Sequence, residues 1–152
     1  MESSIEHQNK EKIIWIGSNQ IKFIATGNET KGTYALIEMT VEPKSQVPLH
    51  MHSREDEGLY VIDGELSVMH DQSTKNISRG SHVFLPRGIP HSYKNLGQKQ
   101  CRILLFYTPS GFENFLEEIS NENLSNTKEE GIGDKMKRVA NRYGVSIITG
   151  AE

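Results

Sequence analysis

The chain has almost no cysteine, no long hydrophobic run and no excess of charge of either sign. Cys101 is the only cysteine among 152 residues, so no intramolecular disulfide can form and a reducing compartment is expected. A lone cysteine of this kind reads as a small buried hydrophobe on a strand. The longest apolar runs, such as Ile103–Tyr107, fall far short of the ~20 residues that a bilayer-spanning helix requires. The opening stretch MESSIEHQNKEK is polar and has no apolar core of a secretory signal. Seventeen basic residues face 20 acidic ones, a net charge of -3, with no basic stripe for nucleic acid and no acidic tail. A soluble cytoplasmic domain that binds neither nucleic acid nor membrane is the expectation. A chain this long can bury roughly 70% of its unfolded surface in one core.

No repeat or low-complexity tract divides the sequence. Residues 1–12 are expected to form a mobile arm, and residues 13–152 one domain with a helical C-terminal extension. Turn residues break the chain from Ile13 to about Tyr107 into short strand-like runs. The predicted strands are Ile13–Ile16, Ile21–Ala25, Tyr34–Val41, His50–Ser53, Glu57–Asp63, Glu65–His70, His82–Leu85, Ser92–Asn95 and Arg102–Tyr107. Gly27-Asn28, Pro43-Lys44, Asp71-Gln72, Arg87-Gly88 and Leu96-Gly97 read as turns, and Asp63-Gly64 is the strongest hairpin signal. Beyond Tyr107 the period changes. Ser110-Gly-Phe-Glu113 has capping-box spacing, and Phe112, Phe115, Leu116 and Ile119 follow at helical intervals. A second helix is predicted near Asp134–Tyr143, with Met136, Val139, Ala140 and Tyr143 on one face and Gly144 as its stop. Many short strands followed by two amphipathic helices predict an all-β closed structure with the helices packed outside.

Chemistry concentrates in two blocks, HMHSREDEGLYVIDG and GSHVFLPRGIPHSYKN. Residues two apart on a strand point the same way, so His50 and His52 can share an interior face. A short polar connection then lets the next strand bring Glu57 beside them, and Pro86-Arg-Gly88 supplies a turn before His91. Three imidazoles and one carboxylate make a full ligand set for a divalent transition metal: Fe, Mn, Ni, Co or Cu, with Zn also suitable. Burying four such groups without a partner would be costly, and a metal is the simplest compensation. His7, His70 and His82 read as ordinary surface or core histidines.

The spacing of these residues resembles that of a small single-domain cupin. In the first cupin motif, G-x5-H-x-H-x(3,4)-E-x6-G, His50, His52, Glu57 and Gly64 match, and the leading glycine falls on Lys44. In the second, G-x5-P-x-G-x2-H-x3-N, Gly80, Pro86, Gly88, His91 and Asn95 all match. The resemblance implies a double-stranded β-helix, or jelly roll, with His50, His52, Glu57 and His91 as metal ligands in the barrel mouth. Ile14-Trp-Ile-Gly17, Thr30-Lys-Gly32, Thr108-Pro-Ser-Gly-Phe-Glu113 and Arg142-Tyr-Gly-Val145 extend the likeness toward bacterial and cyanobacterial quercetinase-like monocupins.

With two coordination positions left open, such a centre suits dioxygen-dependent cleavage of a flavonol-like or other enolisable phenolic compound. Glu57, the carboxylate of the set, would serve as ligand and general base. A non-oxidative isomerase or cyclase and a non-catalytic small-molecule-binding cupin are the alternatives, since one fold hosts all three. Met39, Met51, Leu59, Phe84, Tyr93 and Phe106 are candidate pocket walls. Strand parity turns Tyr93 inward with His91 and Leu59 inward with Glu57, and sets Met51 on the opposite face from the histidines. The expected partners are a small-molecule substrate, dioxygen and a second copy in a homodimer.

Overall fold

A computed structural model of the chain describes residues 12–124 and 131–148. Residues 1–11 of the expected arm lie outside the described residues. Lys12, its last residue, already opens β1 (Lys12–Ile16), which is followed by β2 (Asn19–Ala25), the short α1 (Gly27–Thr30) and β3 (Ala35–Val41). Then come β4 (Gln46–His52), β5 (Asp56–Asp63), β6 (Glu65–His70), β7 (Ser73–Ser78), β8 (His82–Leu85), β9 (His91–Lys94) and β10 (Cys101–Thr108). The chain closes with α2 (Phe112–Glu118), α3 (Asn121–Leu124), α4 (Ile132–Arg142) and β11 (Val145–Ile147).

The strands form two antiparallel sheets, one ordered β1-β2-β3-β10-β5-β8 and the other β11-β4-β9-β6-β7. Alternation sets what each sheet turns inward. On β3 the buried residues are Ala35, Ile37, Met39 and Val41, and on the adjacent β10 they are Cys101, Ile103, Leu105 and Tyr107. Apolar side chains at every second position leave one face of each strand to bury, and the two sheets close over each other to do so. Cys101 is fully buried, as a structural thiol should be. The predicted all-β double-stranded β-helix is the observed architecture.

α2 and α4 lie outside the strands with their apolar faces turned inward. Phe112, Phe115, Leu116 and Ile119 are all buried, as are Val139 and Ala140 of α4. No helix among the described residues is long and apolar enough to cross a membrane.

Two local predictions are corrected. Asp63-Gly64 is a turn but not a hairpin. It carries the chain from one sheet to the other, so β5 pairs with β8 and β10 while β6 pairs with β7 and β9. Gly64 has φ 93°, and a Cβ there would stand 2.8 Å from the Gln100 carbonyl oxygen. A two-residue turn signal reports backbone reversal; sheet partners are chosen by the distant faces that must be buried. Tight hairpins lie instead at Gly17-Ser18, between β1 and β2, and at Asp71-Gln72, where φ values of 48° and 66° link β6 to β7 without a glycine. The second correction concerns Ser110, which does not cap α2. Gly111 is the N-cap, and the buried Glu113 accepts N–H groups from Gly111 at 2.7 Å and from Gly27 at 2.8 Å. The carboxylate is used to tie α2 to the β2–β3 connection.

Lys44 occupies the left-handed region, φ 65°, where the first cupin motif carries glycine. The turn is therefore kept, at a conformational cost. Its N–H reaches the Asn95 carbonyl at 2.8 Å, and the Asn95 N–H reaches Ser45 at 2.9 Å. The buried Asn95 amide spans the same corner, donating to the Val41 and Lys99 carbonyls at 3.0 and 2.7 Å. The last residue of the second motif thus fixes the first turn of the other. A left-handed non-glycine residue costs about 1 kcal/mol or more, part of which glycine returns as unfolded-state entropy. Lys44→Gly is expected to stabilise the protein by about 0.5–1 kcal/mol, raising the melting temperature by about 2 °C. A lower denaturation midpoint in the variant would show that Lys44 is not strained.

Candidate metal centre

β4 and β9 are neighbours in the five-stranded sheet, with His50 directly opposite His91. His52 lies on the same inward face of β4, so three imidazoles come from one sheet. Glu57 comes from the facing sheet, early in β5. Arg87 makes the connection rigid: its backbone N–H and guanidinium grip Asp56 at 3.0–3.2 Å. The Gly88 N–H, at φ 80°, bonds the His52 carbonyl at 2.7 Å and delivers the chain to His91. All four predicted residues are brought together. His50, His52, Glu57 and His91 are buried, and their potential ligand atoms lie within 4.8 Å of one another.

The outer nitrogen of each ring is already engaged. His50 Nδ1 meets the Pro48 carbonyl at 2.7 Å, His52 Nδ1 the Glu55 carboxylate at 2.7 Å, and His91 Nδ1 the Ile89 carbonyl at 3.3 Å. A carbonyl or carboxylate only accepts, so Nδ1 carries the proton and each Nε2 presents a lone pair. His52 Nε2, His91 Nε2 and Glu57 Oε2 are buried with no hydrogen-bond partner. Yet Glu57 Oε2 lies 3.0 Å from His91 Nε2 and 3.5 Å from His52 Nε2. Acceptors packed this closely need a cation between them. A proton can serve one pair, whereas a divalent metal satisfies the whole set. The donors fit a first-row ion of mixed nitrogen and oxygen preference.

Two residues of the site escaped the sequence reading. Glu55 is buried and orients His52, the arrangement by which an outer carboxylate fixes a metal-binding imidazole. Its signal was an acidic residue three positions after a candidate ligand, in a loop that has to fold back. Tyr107 lies opposite Glu57 in register and donates its hydroxyl to Glu57 Oε1 at 3.3 Å. Here the signal was the alternation of β10, which turns Tyr107 inward with Leu105. One carboxylate oxygen is thereby held by a phenol, and the other is left to the centre. Phe112 packs edge-on to His52, with centroids 4.4 Å apart, and screens that ring from water.

The electrostatics follow from burial and from this crowding. Burial, with the neighbouring imidazoles, pushes His50 down to about 3. Burial also acts to lower His91, but the Glu57 carboxylate beside it prevails and holds it above 6.5. Burial acts to raise Glu57, and the imidazoles, His91 foremost, bring it below its ordinary value. Tyr93 and Tyr107 are pushed well above 10, mainly by burial and then by the charge of Glu57, so both remain donors at neutral pH. In the absence of metal a weakly acidic proton therefore sits on His91. A metal must displace it. Affinity is expected to fall about tenfold per pH unit below the raised value of His91 and to level off above it. His50, down near 3, adds no competition around neutrality. Indicator-competition titrations between pH 5 and 9 check this, and an affinity flat across that range would contradict it.

The centre opens through His50 onto a cavity of about 500 Å³. Ile37, Leu105, Phe112, Phe115 and Leu116 make most of its wall apolar, and Tyr93 and Tyr107 add two phenols. Of the predicted wall residues, Met39 and Tyr93 line it. Leu59 is buried with its side chain on the inward face but does not reach the cavity. Met51, Phe84 and Phe106 do not line it either, and Phe84 and Phe106 stand exposed on the far side of their sheet. His82 is exposed on β8, His70 lies outside the cluster, and His7 falls outside the described residues.

A double-stranded β-helix whose three inward histidines and glutamate could together hold a metal ion has the form of a cupin barrel. Residues 37–107 match the family model of the cupin domain. The chain is 30% identical over 88 residues to quercetin 2,3-dioxygenase of Bacillus subtilis (strain 168), an alignment covering 58% of this chain and 26% of that protein. It is 27% identical over 106 residues to the HTH-type transcriptional regulator PuuR of Escherichia coli (strain K12), covering 68% of this chain and 57% of the regulator. The chain thus spans about a quarter of the one relative and just over half of the other. Among solved structures, the polyketide cyclase RemF from Streptomyces resistomycificus superposes with a TM-score of 0.61 at 20% identity, covering 72% of this chain and 81% of the cyclase. At that identity the likeness concerns the fold.

Proposed function

We propose that this chain is a metal-dependent dioxygenase that cleaves a flavonol-like or other enolisable phenolic small molecule with O2. The observation that carries the reading is the placement of a complete His50, His52, Glu57 and His91 set at the edge of an apolar cavity of about 500 Å³. The likeness to quercetin 2,3-dioxygenase supports it. One divalent ion among Fe, Mn, Ni, Co and Cu, or Zn, would be held by these four residues. When bound, the ion supplies Lewis acidity and, if redox-active, a route for electrons to dioxygen.

The residues do the rest. The apolar wall excludes water and orients a flat ring system toward the centre. Glu57 takes the proton from the acidic hydroxyl of the substrate. Tyr107 steadies the carboxylate through Oε1, so that Oε2 faces the reacting group. Glu55 keeps the His52 ring in the tautomer that presents Nε2.

Elemental analysis of natively purified protein, followed by oxygen-uptake assays over a flavonol panel, tests the proposal. Uptake stoichiometric with flavonol loss is the expected result. Anaerobic conversion of the ligand would transfer the reading to an isomerase or cyclase, and tight binding without conversion to a binding module. The working form proposed is a cytoplasmic homodimer. Phe84 and Phe106 flank Gly58 in register on the outer face of the six-stranded sheet, exposed at 57% and 40%, and a second copy would cover them. A monomeric mass in solution would rule that assembly out.

A further inference from the structure

We propose that the Tyr93 hydroxyl anchors the substrate, and that the cavity takes a flat, largely apolar molecule bearing one more oxygen than the metal centre itself engages. This rests on the metal-centred reading above and adds to it a residue and a substrate feature. Tyr93 follows His91 by two positions on β9 and shares its inward face. The side chain is only 4% exposed and lines the cavity together with His50. Among the described residues its hydroxyl meets only the Met39 sulfur, at 3.8 Å. A thioether is a weak acceptor, whereas a buried phenol ordinarily finds an oxygen or nitrogen. The other phenol of the cavity, Tyr107, is committed to Glu57. Tyr93 is therefore a buried donor without an adequate acceptor, set in a wall made mainly of aliphatic and aromatic carbon. An oxygen-bearing ligand supplies what the fold withholds. A ligand with apolar surface alone would leave the donor unpaired, so the residue selects among molecules of equal shape.

Natively purified, metal-loaded protein and its Tyr93→Phe variant, titrated anaerobically with two flavonols, provide the test. Apart from the weakly accepting ring ether oxygen that both share, 3-hydroxyflavone carries only the hydroxyl–ketone pair, and quercetin adds hydroxyls on both outer rings. Loss of one ligand hydrogen bond should weaken quercetin binding by about tenfold and change 3-hydroxyflavone binding by less than about twofold. Metal content should be unchanged and the melting temperature no lower than that of the parent, because the removed hydroxyl has so weak a partner. Equal weakening of both flavonols, unchanged quercetin affinity, or failure of the parent protein to bind quercetin would each overturn the proposal. Aerobic oxygen uptake separates the two readings. Tyr93-dependent binding without oxygen consumption would leave the anchor standing and remove the dioxygenase assignment. Consumption with quercetin affinity indifferent to Tyr93→Phe would do the reverse.

Discussion

Replacing Glu57 with glutamine is expected to leave a folded protein with reduced metal content and turnover at least about 100-fold lower. The exchange keeps the volume of a side chain that is 1% exposed, so no cavity is created. What it removes is charge. An amide oxygen can still face the centre, but it offsets none of the dication's charge and binds it more weakly. It also accepts no proton from the substrate at neutral pH, and a positioned general base typically contributes 10²–10⁴-fold. In the alternative orientation the amide oxygen turns to Tyr107, which goes on donating to it. The amide nitrogen then points at His52 Nε2 and His91 Nε2, positions that now hold converging acceptors. In the metal-free protein, His91 loses the carboxylate that raises it and follows burial downward instead. Elemental analysis and oxygen uptake measured on the same preparation separate the two roles. Reduced metal with proportionally reduced turnover makes Glu57 a ligand alone. Full metal with a large loss of turnover makes it a base. Full metal and full turnover would eliminate the base altogether.

The parts of this molecule that were legible in the sequence are those where a local rule and the global fold coincide. His50 and His52 obey strand parity, and the second motif fixes Gly88 and His91 through a turn whose N–H actually bonds His52. The faces of β3, β10 and α4 are readable because apolar spacing alone sets them. What escaped depends on tertiary pairing. β7 is polar and almost wholly exposed, so nothing in Ser73–Ser78 marks a strand until β6 supplies the ladder. β11 is three residues long and exists by pairing Val145 with His52 and Ile147 with His50. Asp63-Gly64 looked like a hairpin because a turn between two strand-like runs cannot disclose which sheet the second one joins. Glu55 and Tyr107 were hidden for a related reason. Each acts on a ligand through a contact that forms only when a loop or a facing strand closes.

Glu55 gives the sharpest test of that hidden layer. Glu55→Ala is expected to lower metal affinity by about 10–100-fold, as loss of an outer partner of a ligating histidine does. The reasoning starts from the 2.7 Å bond to His52 Nδ1. Without it, the ring is free to rotate or to move its proton to Nε2, and either change withdraws a lone pair from the centre. The donor left behind is buried, with His52 only 2% exposed, which costs about 1–3 kcal/mol in the metal-free protein. A bound dication also draws charge from the imidazole, and the Glu55 carboxylate is placed to answer it. Glu55→Gln retains an acceptor oxygen but not the charge, so its affinity should fall between parent and alanine variant. That order distinguishes orientation from packing, since a purely steric role would make glutamine equivalent to the parent. Chelator competition gives the affinities, and thermal melts with and without metal report the stability cost. An alanine variant that binds metal as tightly as the parent would mean that His52 is positioned by Phe112 and the β4 backbone, with no contribution from Glu55.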